Sequence, residues 1–215
     1  MTQDKFKKLI RLYSREDNWH EVDAKTGNLG YGFVHYGLIR LIKANRVLAI
    51  GSKYGYIPAV CAMACKDNKA GMVDFVDASY DHTKWPQDKN HWGGVGFWKK
   101  IDVKKHFGKM GLNKHIKFYL MISKKFAQTT KNQKWDYIYI DGDHSYEGVK
   151  KDFNLFYPRL KNGGYLLLHD IYTKNLGDLD YGVNTFWEEI KASGKYQTME
   201  FSGKIGLGMI RKGRK

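Results

Sequence analysis

Short apolar runs recur along the chain, and four of them stop abruptly at a glycine or a carboxylate. "RVLAI" (46–50) ends at Gly51, "MVDFV" (72–76) at Asp77, "YIYI" (137–140) at Asp141 and "YLLLH" (165–169) at Asp170. A further run, "HIKFYLM" (115–121), lies between the second and the third of these. Runs this short, rich in β-branched and aromatic residues, read as buried strands. Helical patterns fill the gaps, near 56–66, 98–110, 124–130, 145–160 and 183–193. The last two strands, "YQTMEFS" (196–202) and "IGLGMIR" (205–211), are joined by Gly203-Lys204, which suits a tight hairpin. Strands alternating with helices imply βαβ units and a parallel sheet covered on both faces. The expected fold is α/β and Rossmann-like. It has a seven-stranded, mostly parallel sheet, helices on both faces and a C-terminal antiparallel hairpin.

In such sheets the ligand cleft lies outside the carboxyl ends of the strands. That gives the strand-end residues a meaning beyond turn formation. The most pointed case is "WDYIYIDGDHSYEGVKKDF" (135–153), where a strand delivers Asp141, Gly142, Asp143 and His144 to the cleft before a helix begins.

Length and composition narrow the setting. The 215 residues are the size of one domain, and 42% of them are hydrophobic, enough for a real core. A single domain over 1–215 is expected, with a helical or loop extension at 1–34 and a substrate-side insertion at 81–98. No apolar stretch reaches the roughly 18 residues of a membrane span, and the first residues, "MTQDKFKKLIRLYSRED", lack a signal-peptide pattern. A cytoplasmic protein without membrane contact is expected. Cys61 and Cys65, four apart on a helical pattern, read as small buried side chains in a reducing compartment. The net charge of +15 favours an acidic partner, such as an anionic substrate. The excess is nearly all lysine, however, which usually marks solvated helix faces, so nucleic acid is not expected.

The chemistry starts at "VLAIGSKYGYIPA" (47–59), a strand, a glycine turn and a helix start. A dinucleotide fingerprint would need glycines where Lys53 and Tyr56 stand, and no Gly-Lys-Ser/Thr phosphate loop is present. The looser Gly51-x-x-x-Gly55 turn fits S-adenosylmethionine, which carries no phosphate. Asp77, at the end of the next strand, can accept both ribose hydroxyls; Asp74 is the fallback but falls mid-strand. Asp141 and Asp170 end adjacent strands and offer two hard oxygen ligands for Mg²⁺ or a similar cation, with His169 or Asp143 as a further ligand. A divalent cation lowers the pKa of a hydroxyl, and His144 is placed to take its proton. The plainer reading is that Asp143 or Ser145 caps the following helix and Asp141 merely lines the cleft.

With "VLAIGSKYG", "VDFVDASY", "WDYIYIDGDHSYEGVKKD" and "LKNGGYLLLHD" in view, the chain resembles class I S-adenosylmethionine-dependent methyltransferases. It is most similar to the small O-methyltransferases related to macrocin O-methyltransferase and, in fold, to the cephalosporin-hydroxylase-like proteins. The resemblance spans roughly residues 35 to 212. It implies that Gly51, Ser52 and Gly55 form the cofactor loop, with Asp77 as the ribose acid. Ser123 falls where the adenine is held, and Asp141 also borders the cofactor. Asp141 and Asp170 match metal-binding carboxylates, with His169 in the place of a further, often acidic, ligand, and His144 matches the base. Ala49 departs from the pattern, since the family often has an acidic residue there, two before the first glycine.

The function so implied is O-methylation of a small-molecule hydroxyl, on a sugar or secondary metabolite; the sequence leaves the oligomeric state open, a homodimer among the options. A nucleic-acid methyltransferase is the rival suggested by charge. Amino-methylating enzymes of that kind carry an Asn/Asp-Pro-Pro-Tyr/Phe motif where this chain has Asp141-Gly-Asp-His. A non-catalytic cofactor-binding protein is the second rival; Ala49 favours it, and Asp141, His144 and Asp170 together argue against it.

Overall fold

The structure, a computed structural model, describes residues 2–15, 19–80, 96–174 and 181–213. Most of the insertion expected at 81–98 lies outside them. Seven strands form one sheet: β1 (Arg46–Ile50), β2 (Met72–Asp77), β3 (Ile116–Leu120), β4 (Trp135–Ile140), β5 (Leu160–His169), β6 (Gln197–Phe201) and β7 (Leu207–Arg211). Their order is β3-β2-β1-β4-β5-β7-β6. The first five are parallel, and β7 runs antiparallel to both β5 and β6. The expected fold class is the observed one.

Side-chain alternation along the strands divides the core in two. On one face Val47, Ala49, Phe75, Tyr137, Tyr139 and Leu167 pack with residues of α1 (Gln3–Tyr13), α2 (Gly32–Ile42), α3 (Tyr56–Asp67) and α4 (Val103–Gly108). On the other, Leu48, Ile50, Ile138, Ile140, Leu166 and Leu168 meet α5 (Ser123–Thr129), α6 (Tyr146–Phe156) and α7 (Val183–Ala192). Burial on both faces explains why these strands read as continuous apolar runs. Helix α3 is buried from Tyr56 to Cys65, and its Pro58 sits in the first turn, where a missing N–H costs nothing. Both cysteines are free and buried. Among the described residues no helix is long and apolar enough to cross a membrane.

Three boundaries differ from the sequence pattern. The helix expected over 98–110 is a 3₁₀ turn at Phe97–Lys99 followed by the short α4, which Asp102 caps by accepting the Lys105 N–H at 2.9 Å. Helix α6 ends at Phe156, and a 3₁₀ turn carries Pro158 into a β5 that starts five residues earlier than expected. The β6–β7 connection is also longer than a tight Gly203-Lys204 turn. Ile205 is buried and its carbonyl accepts the Tyr172 N–H at 2.9 Å, which delays β7 to Leu207.

Asp74, the fallback ribose acid, has a structural task. Fully buried, it accepts from Arg46, Gln133 and the Trp135 indole at 2.8–2.9 Å, tying β1, β2 and β4 together away from the strand ends.

Candidate active site

Parallel register brings the carboxyl ends of β1, β2, β4 and β5 side by side. Ile50 pairs with Val76 and with Ile140, and Ile140 with Leu168, so Gly51, Asp77, Asp141 and His169 emerge along one edge. The Gly51 N–H donates to Val76 O and the Asp141 N–H to Ile50 O, extending the ladder one step beyond the strands.

Gly51 has φ +72, and a Cβ there would come within 2.0 Å of the Asp141 carbonyl oxygen. Glycine is therefore required by the approach of two backbones as well as by the turn. Gly55, at φ +87, starts α3 with the Trp98 ring where its Cβ would be. Between them lies the buried Ser52, whose N–H donates to Asp77 Oδ2 at 3.2 Å; the other Asp77 oxygen accepts the Ser79 N–H at 2.6 Å. Asp77 thus braces the glycine turn from β2. Burial pushes its carboxyl up to about 6, against the two backbone donors, and the charge of Asp141 adds to the rise.

Beyond β4 the four residues separate into two jobs. Asp143 Oδ1 accepts from the Ser145 N–H at 3.0 Å and its hydroxyl at 2.7 Å, and Ser145 Oγ accepts the Gly148 N–H at 3.0 Å. Asp143 and Ser145 are the helix cap. Replacing Ser145 with Ala should cost about 1 kcal/mol of stability in denaturant unfolding while leaving ligand binding unchanged.

Asp141 and His144 do the other job. They join His169 and Asp170 in a cluster whose four donor atoms lie within 4.8 Å of one another. His144 Nε2 is 3.2 Å from Asp141 Oδ1 and 3.0 Å from Asp170 Oδ2. His169 Nδ1 is 3.2 Å and 2.8 Å from the same two oxygens. Asp170 reaches this position with φ 64, a left-handed conformation rare for a residue other than glycine. Its second oxygen accepts the Thr173 hydroxyl at 3.0 Å. Burial opposes charge at every member, yet the opposite charges prevail. His144 is pushed up to about 10 by Asp170 and Asp141, and His169 rises well above the usual imidazole range for the same reason. Asp141 and Asp170 lie well below the usual carboxylate range because both imidazoles face them. The donor set fits a divalent cation, since hard and borderline ligands converge from two strand ends.

Ser123, at the first turn of α5, donates its hydroxyl to Asp152 of α6 at 2.5 Å. Asp152 is buried, which raises its carboxyl to about 6.

Three neighbours of the cluster went unread in the sequence. His20 packs its ring 4.5 Å from that of His169, and burial, then His169, lower its pKa to about 3, so it is neutral. Tyr181 lies over His144 at 5.3 Å. Tyr139 precedes Asp141 by two and packs 6.2 Å from the His169 ring. Strand parity alone would have found Tyr139, because residues two apart share a face. Nothing local marks His20, which comes from the segment between α1 and α2.

Comparison with known proteins identifies the family and the fold. Residues 48–171 match the family model described as a methyltransferase domain. The fold is shared with the O-methyltransferase TomG from Streptomyces achromogenes, involved in tomaymycin synthesis and solved with S-adenosylmethionine (TM-score 0.62, 14% identity, 98% of this chain and 89% of that one). It is shared likewise with an O-methyltransferase from Bacillus cereus solved with S-adenosylhomocysteine (TM-score 0.64, 15% identity, 99% and 92%). By sequence the chain is 24% identical over 194 residues to an uncharacterized protein of Sinorhizobium fredii, covering 89% of this chain but 20% of that protein. A 67-residue stretch is 37% identical to an uncharacterized protein of Acanthamoeba polyphaga mimivirus, 31% of this chain and 30% of that one. The chain therefore spans a third or less of the length of these curated relatives.

Proposed function

Since this chain belongs to the methyltransferase-domain family, we propose that it transfers the methyl group of S-adenosylmethionine to a hydroxyl of a small molecule. The observation that carries the reading is one of place. The glycine turn and Asp77 stand at one end of a strand-end row, the Asp141–His144–His169–Asp170 cluster stands at the other, and Gly51 touches the Asp141 backbone between them. A cofactor held by the first group would present its sulfonium methyl toward the second.

Each part then has a task. The Gly51–Gly55 turn, with Ser52, gives the cofactor's methionine end close access to backbone, and Asp77 accepts the ribose hydroxyls through lone pairs its two N–H donors leave free. Ser123 borders the adenine, steadied by Asp152. Ala49, buried in β1, brings no charge to the amino end, so that contact falls to other groups. Methyl transfer from a sulfonium neutralises charge in the transition state, so the protein mainly aligns nucleophile, carbon and sulfur and removes the hydroxyl proton.

Proton removal is assigned to the cluster rather than to His144 alone. With its pKa near 10, His144 already carries a proton at neutral pH in the cation-free cluster, and Nε2, the atom that would receive one, faces both carboxylates. A divalent cation held by Asp141, His169 and Asp170 would supply the charge that favours an alkoxide over an alcohol. It would also take over the balancing of the two carboxylates.

Titration of S-adenosylhomocysteine by calorimetry tests the cofactor half, and transfer of a labelled methyl group to a panel of hydroxylated metabolites tests the reaction. Asp77→Ala should weaken cofactor binding by roughly 1–3 kcal/mol, the worth of a charge-assisted hydrogen bond. The ionised carboxylate is the better acceptor, so affinity should fall as pH drops through about 6, where Asp77 gains its proton. Asp77→Asn should flatten that profile. An unchanged affinity in Asp77→Ala would remove the ribose assignment.

A further inference from the structure

The contacts within the cluster exceed the hydrogen bonds available to make them. Two imidazole nitrogens face two carboxylate oxygens in a closed ring, with all four nitrogen–oxygen distances between 2.8 and 3.2 Å. Each nitrogen carries at most one proton. Two N–H bonds therefore serve four close contacts, and neither can point straight at both of its oxygens. One positive centre shared by all four atoms satisfies every contact at once.

We propose that Asp141, His144, His169 and Asp170 form a selective site for a first-row transition-metal ion of the manganese-to-zinc series, with His144 as a fourth ligand, and that Mg²⁺ is not its resident ion. Half the donor set is imidazole nitrogen. Imidazole suits transition ions, whereas Mg²⁺ favours oxygen and keeps much of its water. The spacing agrees. Bonds of about 2.1 Å at the right angles of a six-coordinate ion put neighbouring donors about 3.0 Å apart, in the middle of the observed range; this spacing supports a bound cation, and the donor type selects among cations. His169 cannot turn aside to admit the water that Mg²⁺ would prefer, because its side chain is 3% exposed and packed against His20, Tyr31 and Tyr139. His144 Nε2 lies 3.2 and 3.0 Å from the two carboxylate oxygens that His169 Nδ1 meets at 3.2 and 2.8 Å, so the geometry gives it the same role.

The inference rests on the proposed function only for the location of the site. Its test is direct ion binding. Chelator-treated protein is titrated with Co²⁺ while the visible d–d bands are followed, and with Mn²⁺ by electron paramagnetic resonance, each alone and against a large excess of Mg²⁺. S-adenosylhomocysteine binding is measured by calorimetry on the same samples. One Co²⁺ or Mn²⁺ per chain should bind and resist displacement by Mg²⁺. His144→Ala and His169→Ala should each weaken binding by about tenfold or more and shift the Co²⁺ bands, while Asp143→Asn should change neither. If His169→Ala fails to fold, the Mg²⁺ competition on the unaltered chain and the more exposed His144→Ala still decide. Mg²⁺ binding as tight as Mn²⁺, no ion bound at all, or unchanged Co²⁺ bands in His144→Ala would each overturn the proposal. Cofactor binding that persists in those cases would leave methyl transfer standing. Its loss beside intact ion binding would reject methyl transfer and spare the metal site.

Discussion

Asp141→Asn should all but silence methyl transfer, while Asp143→Asn, two residues away, should leave it nearly intact. The two carboxylates end the same strand and are equally plain in the sequence, but their surroundings differ. Asp141 faces both His144 and His169 at 3.2 Å, whereas Asp143 spends one oxygen on the Ser145 N–H and hydroxyl. Asparagine at 141 keeps the shape and removes the charge, leaving two imidazoles to share Asp170. The rate should fall on the order of 10²–10⁴, the range for losing a proton-transfer group. Asparagine at 143 retains an oxygen that can hold the cap, at a stability cost of a few tenths to about 1 kcal/mol. Single-turnover rates at saturating cofactor, with cofactor affinity measured separately, check the pair. Equal losses in both variants, or a loss confined to Asp143→Asn, would sink the assignment of the cluster.

Gly51→Val should abolish cofactor binding and destabilise the fold together. Valine would have to adopt φ +72 with a Cβ 2.0 Å from the Asp141 carbonyl. The obstruction is backbone, so no rotamer change relieves it. Left-handed strain costs about 1–2 kcal/mol and overpacking typically another 1–3. The structure can escape only by parting the ends of β1 and β4, which would move the turn that meets the cofactor and the strand end that carries Asp141. Thermal unfolding and S-adenosylhomocysteine calorimetry on one preparation separate the effects. A variant of unchanged stability that merely lost binding would mean that the glycine serves ligand access alone.

These two cases also mark what the sequence could tell. The strands were legible because both faces are buried, which leaves runs such as "YLLLH" without polar interruption, and the parallel direction of the first five followed from the helices between them. The strand-end carboxylates were legible because parallel sheets gather function at that edge. The place of Asp141 at the strand end marked it for the cleft, but whether Asp143 would join it as a ligand or cap the helix stayed open, since that depends on a turn one residue wide. The need for glycine at 51 was visible, but half its reason is a contact with residue 141, ninety positions later. His20 was invisible because its role arises from tertiary packing alone. The early end of α6 and the late start of β7 escaped notice because tertiary hydrogen bonds and buried side chains, not local pattern, set those limits.

Three contacts made far from the chemistry govern when the site is covered. The Tyr31 hydroxyl accepts the Gly206 N–H at 3.1 Å, Glu21 accepts the Lys204 N–H, and the His20 carbonyl takes the Tyr31 N–H. The segment that lays His20 over His169 is thus pinned by the loop between β6 and β7. His20 and Gly206 lie 186 residues apart in the sequence. The cofactor turn and all four cluster residues fall within that span, so they can come together before the cover is pinned, and a cation bound before then would meet a more open, more exchangeable site.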